Sequence, residues 1–155
     1  MTRAIFRTAW LAACLAVAGC AGPTIVEMPD DGHLVQVGGI PDRIPSTPAT
    51  ITSAAMQGDV LVLEVTFGGG CGQHDFALYA SNVWLESDPV QVNVALAHDG
   101  HGDPCRALLS RELRFDLSPL AAAYRRSYGR GGTVVLRLRE PGGSGAATHT
   151  VRYTF

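Results

Sequence analysis

Val60-Leu61-Val62-Leu63-Glu64-Val65-Thr66-Phe67 is the stretch from which the fold can be read. Leu61, Leu63, Val65 and Phe67 recur at every second position, with Glu64 and Thr66 between them. A period of two puts alternate side chains on opposite faces of an extended chain, so this is a β-strand with one face in a core. Gly68-Gly69-Gly70-Cys71-Gly72 follows at once and ends the strand. Glycine permits a bend there that β-carbons would resist.

The same alternation extends in both directions. Residues 50–56 form a more modest strand, closed by the Gln57-Gly58-Asp59 turn. His74, Phe76, Leu78 and Ala80 share a parity, which places His74 at the rim of a core-facing row. Val83-Trp84-Leu85 reads as a short strand or an aromatic turn. Val90, Val92, Val94, Leu96 and His98 alternate against Gln91 and Asn93, so His98 ends a buried row. Ala107, Leu109, Leu113, Phe115 and Leu117 fall on one face, interrupted by Arg111. One helix is expected near residues 119–128, with the Ser118 hydroxyl as N-cap, Pro119 at the first position and Gly129 as its stop. Two further strands, 133–139 and 148–155, flank the glycine-rich 141–145 hairpin, with Arg137, Arg139 and Arg152 on a solvated face. Many short strands with Gly/Pro turns predict an all-β antiparallel sandwich carrying one short helix.

The N-terminus supplies an address. Arg3 and Arg7 precede an apolar run from Ala9 to Ala18, about half of the roughly 20 residues a membrane-spanning helix needs. A basic start and a short apolar core make a secretory signal peptide over residues 1–19. Leu15-Ala16-Val17-Ala18-Gly19-Cys20 resembles a bacterial lipobox. That resemblance implies cleavage before Cys20 and acylation of its thiol with two or three chains of the palmitate kind. Stable anchoring takes more than one chain. Ala21 after the cysteine, rather than Asp, resembles the class sorted to the outer membrane. The expected location is therefore the cell envelope, lipid-anchored in the outer membrane and facing the periplasm or the exterior, with an envelope partner. Residues 20–48 hold five prolines and read as a lipidated, Pro/Gly-rich tether, with 34–37 as a short edge strand; the sandwich is expected over 49–155.

Loss of the signal takes Arg3 and Arg7 with it, leaving 10 basic against 14 acidic residues, and every basic residue is an arginine. A mildly acidic mature chain is a poor match for nucleic acid. Of the four cysteines, Cys14 leaves with the signal and Cys20 takes the lipid. Cys71 and Cys105 remain in an oxidising compartment, where a disulfide between them is expected.

Several short motifs recur together. Gly69-Gly70-Cys71 with His74 and Phe76, then Asp103-Pro104-Cys105, then Leu113-Arg114-Phe115-Asp116-Leu117-Ser118-Pro119-Leu120 resemble largely uncharacterised bacterial lipoproteins with a NigD-like C-terminal β-sandwich domain. The resemblance runs from about residue 60 to 120. It implies an immunoglobulin-like sandwich with the two cysteines opposed, and it transfers no catalytic residue.

The chemistry-bearing residues gather in two stretches, 71–75 and 98–105. Cys71, His74 and Cys105 with His98 or His101 would suit zinc or copper. Disulfide and thiolate ligation exclude each other, and export favours the disulfide. A set of His74, His98, His101 and Asp103 survives oxidation and is the alternative metal site; without it no cofactor is expected. Asp99-Gly100-His101-Gly102-Asp103 spaces carboxylates as a calcium loop does, but lacks the further carboxylates and terminal glutamate of an EF-hand. There is no Gly-x-Ser-x-Gly elbow and no Cys-x-x-Cys, so the expectation is a non-enzymatic module.

Overall fold

The computed structural model describes residues 33–155. The signal peptide, Cys20 and the first part of the tether lie outside those residues. The strands are β1 (His33–Leu34), β2 (Gln36–Val37), β3 (Ala49–Gln57), β4 (Val60–Gly69), β5 (Asp75–Leu85), β6 (Val90–Asp99), β7 (Ala107–Asp116), β8 (Thr133–Arg139) and β9 (His149–Thr154), with α1 (Ser118–Tyr128) between β7 and β8. Among the described residues they form two sheets, ordered β1-β7-β4-β3 and β2-β5-β6-β8-β9.

β4 is the central strand of the first sheet, paired antiparallel with β3 on one side and β7 on the other. Leu61, Leu63, Val65 and Phe67 point into the core, where they meet Leu78, Val94, Leu96, Leu136 and Leu138 of the second sheet. Burying each such side chain contributes about 1.5–3 kcal/mol. The all-β sandwich with one helix is thus the observed architecture.

The sheets are mixed, however, where a purely antiparallel arrangement was expected. α1 carries the chain from β7 in the first sheet to β8 in the second, and β8 then lies parallel to β6. A crossover connection of this kind is what a parallel pair requires. Leu120, Ala121 and Tyr124 of α1 complete the core. Its N-cap is Leu117, without a side-chain bond. The Ser118 N–H donates instead to Asp116 Oδ1 (2.8 Å), so the capping oxygen sits two residues before the expected hydroxyl. At the other end Gly129 adopts φ 72° and its N–H donates to the Arg125 carbonyl, as a helix stop should.

Residues 33–48 lie on the sandwich, although they read as tether. β1 and β2 each add two residues in parallel to β7 and β5, and Val35 between them is buried with its N–H donated to the Asp116 carbonyl. Further on, His98 N–H donates to the Pro45 carbonyl and Thr47 N–H to the His98 carbonyl. Two-residue pairings leave no periodicity to read, which is why composition alone suggested a spacer.

Candidate functional site

The β4–β5 corner and the β6–β7 loop meet at one end of the sandwich. Cys71 and Cys105 form a disulfide, Cα–Cα 5.7 Å, across 34 residues of sequence. Beneath it lie His74 and His98, the two buried polar residues among those described. β5 and β6 are in register with Phe76 opposite His98, so the alternation that buries Phe76 and Leu96 also drives both imidazoles inward.

The rings form a single hydrogen-bonded chain. His98 Nδ1 lies 3.0 Å from the Thr47 carbonyl oxygen, His98 Nε2 lies 2.9 Å from His74 Nδ1, and His74 Nε2 lies 3.2 Å from Asp103 Oδ2. Both ends are acceptors. Thr47 offers only a carbonyl. Asp103 is held as a carboxylate far below the usual range, first by the Cys105 N–H and then by the Cys71 N–H, with Gly72 N–H and His74 adding to them. Oδ2 accepts from three consecutive backbone N–H groups, Gly70, Cys71 and Gly72, at 2.8–2.9 Å, and Oδ1 from Cys105. Such a nest of amides binds anions.

Satisfying both acceptors and the central N···N contact requires three protons on four ring nitrogens, one more than two neutral imidazoles carry. Burial, and then the charge of the adjacent His74, oppose protonation of His98 despite its bond to Thr47. The His74 and Asp103 side chains that close this chain are each 2% exposed.

Aromatic rings enclose the pair. Phe76 stacks on His98 with centroids 4.3 Å apart and planes 1° apart, and Phe67 packs on both imidazoles at 4.8 and 5.0 Å. Arg111, the charge that interrupts an apolar row, sits 5.6 Å from the centroids of Phe67 and Phe76 and donates to the His74 carbonyl.

The glycines serve a purpose beyond bending. A Cβ on Gly69 would collide with the His74 ring and approach Asp103 Oδ2 to 3.1 Å; one on Gly100 would lie 3.0 Å from Thr47 Cγ2 and 3.4 Å from His74 Nδ1. Gly69 thus leaves the space that the ring fills, and Gly100 leaves room for the Thr47 methyl. Gly70, at φ 121°, supplies the bend.

The four proposed metal ligands are not brought together. His74, His98 and Asp103 form the buried chain, while His101 turns outward to Asp75, with Nε2 2.7 Å from Oδ2. That bond raises the His101 pKa and lowers that of Asp75. Among the described residues, potential ligand atoms of three residues converge only at Cys71, Asp103 and Cys105, and the disulfide uses two of them. Asp99 and Asp103 diverge as well, Asp99 accepting from His101 N–H. The role of Asp103 as amide acceptor had no sequence signature, since its partners are backbone groups 31–33 residues away.

Two packed mixed sheets with one crossover helix make this a β-sandwich, with the disulfide-capped corner at one end. At probability 1.00 the chain is similar to a NigD-like immunity protein from Bacteroides caccae, with TM-score 0.58, 15% identity, and coverage of 80% of this chain and 59% of that one. It is also similar to a candidate lipoprotein from Bacteroides fragilis (TM-score 0.51, 12% identity, 79% and 70% covered) and a candidate toxin-related protein from Parabacteroides distasonis (0.51, 17%, 79% and 61%). The chain spans about three fifths of the length of the first and last of these. At such identities the likeness concerns the fold. No family model and no curated protein matches the chain. No helix among the described residues is long and apolar enough to cross a membrane.

Proposed function

We propose that this protein is a non-enzymatic module of the bacterial envelope, anchored in the outer membrane by acyl chains on Cys20 and serving to bind a partner there. The closed corner carries this view. Both thiols are joined, and the imidazoles and carboxylate beside them are bonded to one another, so the residues that looked most reactive form a structural plug. The disulfide fits an exported protein, and the fold is shared with a candidate lipoprotein. The test is mass spectrometry of the chain extracted from membranes. Cys20 should be the first residue and carry two or three acyl chains; a chain beginning elsewhere, or an unmodified Cys20, would overturn the anchor.

A zinc or copper site is the second reading, for one reason. The outer nitrogens of His74 and His98 are held by Asp103 and Thr47, as in ligand histidines, and their inner nitrogens face each other. A metal would have to replace the shared proton there. A thermal shift with either ion that disappears in His98→Ala would establish it, and a flat response would remove it.

A further inference from the structure

One buried side-chain donor among the described residues has no partner: the Nε–H of Arg139. An unbonded buried N–H costs about 1–3 kcal/mol, so its surroundings call for an acceptor. Arg139 lines a cleft of about 630 Å³ between the 40–46 loop and the 141–145 hairpin tip, with Ala95 also lining it. That volume lies within the roughly 300–1,000 Å³ of small-ligand sites. Arg43 also lines the cleft. Glu140 belongs to the lining too, but its Oε1 accepts the Ile51 N–H at 2.9 Å. Asp42, exposed, is the other lining carboxylate.

The cleft opens on an unusual face. In β8, Val134, Leu136 and Leu138 are buried, so Arg137 and Arg139 point away from the core; in β9 Tyr153 is buried and Arg152 is exposed. Register sets Arg137 opposite Thr150 and Arg152 opposite Val135, and on the other side of β8 places Gln91, Asn93 and Ala95 of β6. Where β6, β8 and β9 pair beside the cleft, their outward positions thus carry three arginines and no carboxylate, Asp99 lying further along β6 opposite Asp75. Among the described residues Arg137 bonds the neutral Gln91 amide, at 3.4 Å. In a chain of net charge −2 this is a local excess of positive charge, and guanidinium forks match tetrahedral oxyanions.

We propose that the cleft is a phosphate-binding site, in which a phosphate group bonds the Arg139 guanidinium with Arg43 on the loop beside it, while Arg137 and Arg152 extend the attractive field. The phosphate could belong to a soluble compound or to a lipid headgroup, and the site does not depend on acylation of Cys20.

The test is NMR of the oxidised full chain in non-ionic detergent, titrated at constant ionic strength with inorganic phosphate and, separately, with anionic phosphatidylglycerol. The Arg139 Nε–H and the Gly142 and Gly145 amides should shift saturably, with half-saturation at about 1 mM or below. Arg139→Gln should weaken binding at least about tenfold and Arg137→Gln less, with Arg126→Gln on α1 as the unaffected control. A response to phosphate alone identifies a soluble ligand; a response to the lipid alone identifies a headgroup. If neither moves these signals up to about 50 mM, or if Arg139→Gln leaves the shifts intact, the proposal fails. Should Arg139→Gln not fold, Arg43→Gln on the exposed loop replaces it, with at least about threefold weaker binding expected.

Discussion

His74 Nδ1 lies 2.9 Å from His98 Nε2, with Asp103 at one end of the pair and the Thr47 carbonyl at the other. The two imidazoles therefore form one hydrogen-bonded unit. His98→Phe keeps a ring against Phe76 but leaves His74 Nδ1–H and the Thr47 carbonyl without partners. Urea unfolding should show a loss of about 2–4 kcal/mol; a change below about 0.5 kcal/mol would mean that the hydrogen bonds contribute little.

Acid should destabilise the protein in a specific window. The folded-state pKa of His98 lies below its ordinary value of 6.5, mainly because burial disfavours its charged form. Below pH 6.5 the unfolded chain takes up the His98 proton while the folded chain does not, so the unfolded state binds more protons and stability rises with pH. This contribution is present above 6.5 and is lost as pH falls through the lower folded value. Asp103, also depressed, adds a loss of the same sign below its ordinary 3.8. The exposed His101–Asp75 pair opposes this weakly on the His101 side, where the raised pKa favours acid, and salt screens it. His98→Phe should flatten the stability curve just below pH 6.5; an unchanged slope would assign the effect elsewhere.

Two adjacent glycines should behave in opposite ways. A Cβ on Gly69 meets the His74 ring, whereas one on Gly68 meets nothing within 4 Å. Gly69→Ala is expected to cost about 2–4 kcal/mol and Gly68→Ala less than about 0.5 kcal/mol, read by thermal or urea unfolding. Equal effects would show that the bend, rather than room for the ring, is what requires glycine.

Asp103 and the disulfide fasten the same loops by different means. Asp103→Asn removes the charge that three amides and the His74 ring converge on. Amide exchange at Gly70, Cys71 and Gly72 should then accelerate by more than about tenfold while β4 stays protected. Replacing both Cys71 and Cys105 by Ser should cost roughly 3–4 kcal/mol for a loop of this length. Unaltered exchange in Asp103→Asn would indicate that the disulfide alone orders the corner.

Much of this was legible in the chain itself. Period-two runs identify β4, β5 and β6, and parity alone put His74 and His98 in buried rows, because alternation is a local property of an extended backbone. Cysteine parity and an export address paired Cys71 with Cys105. Residues 34–37 were legible as edge strand, but the parallel placement of β8 beside β6 and the partners of residues 33–48 were not, since these rest on pairings between segments remote in sequence.

The sequence by itself determined the all-β class, the helix at Pro119, the two buried histidine positions and the cysteine pair, each from local periodicity, local sterics or composition. Only the tertiary structure decided what those residues do. It turned His101 away to Asp75, aimed Asp103 at three backbone amides, emptied Gly69 for a ring, and placed Arg137, Arg139 and Arg152 together on the outward face of one sheet. The physical reason is that hydrogen bonds and charge pairs form between groups close in space, and spacing along a chain does not encode which nitrogen meets which oxygen across two packed sheets.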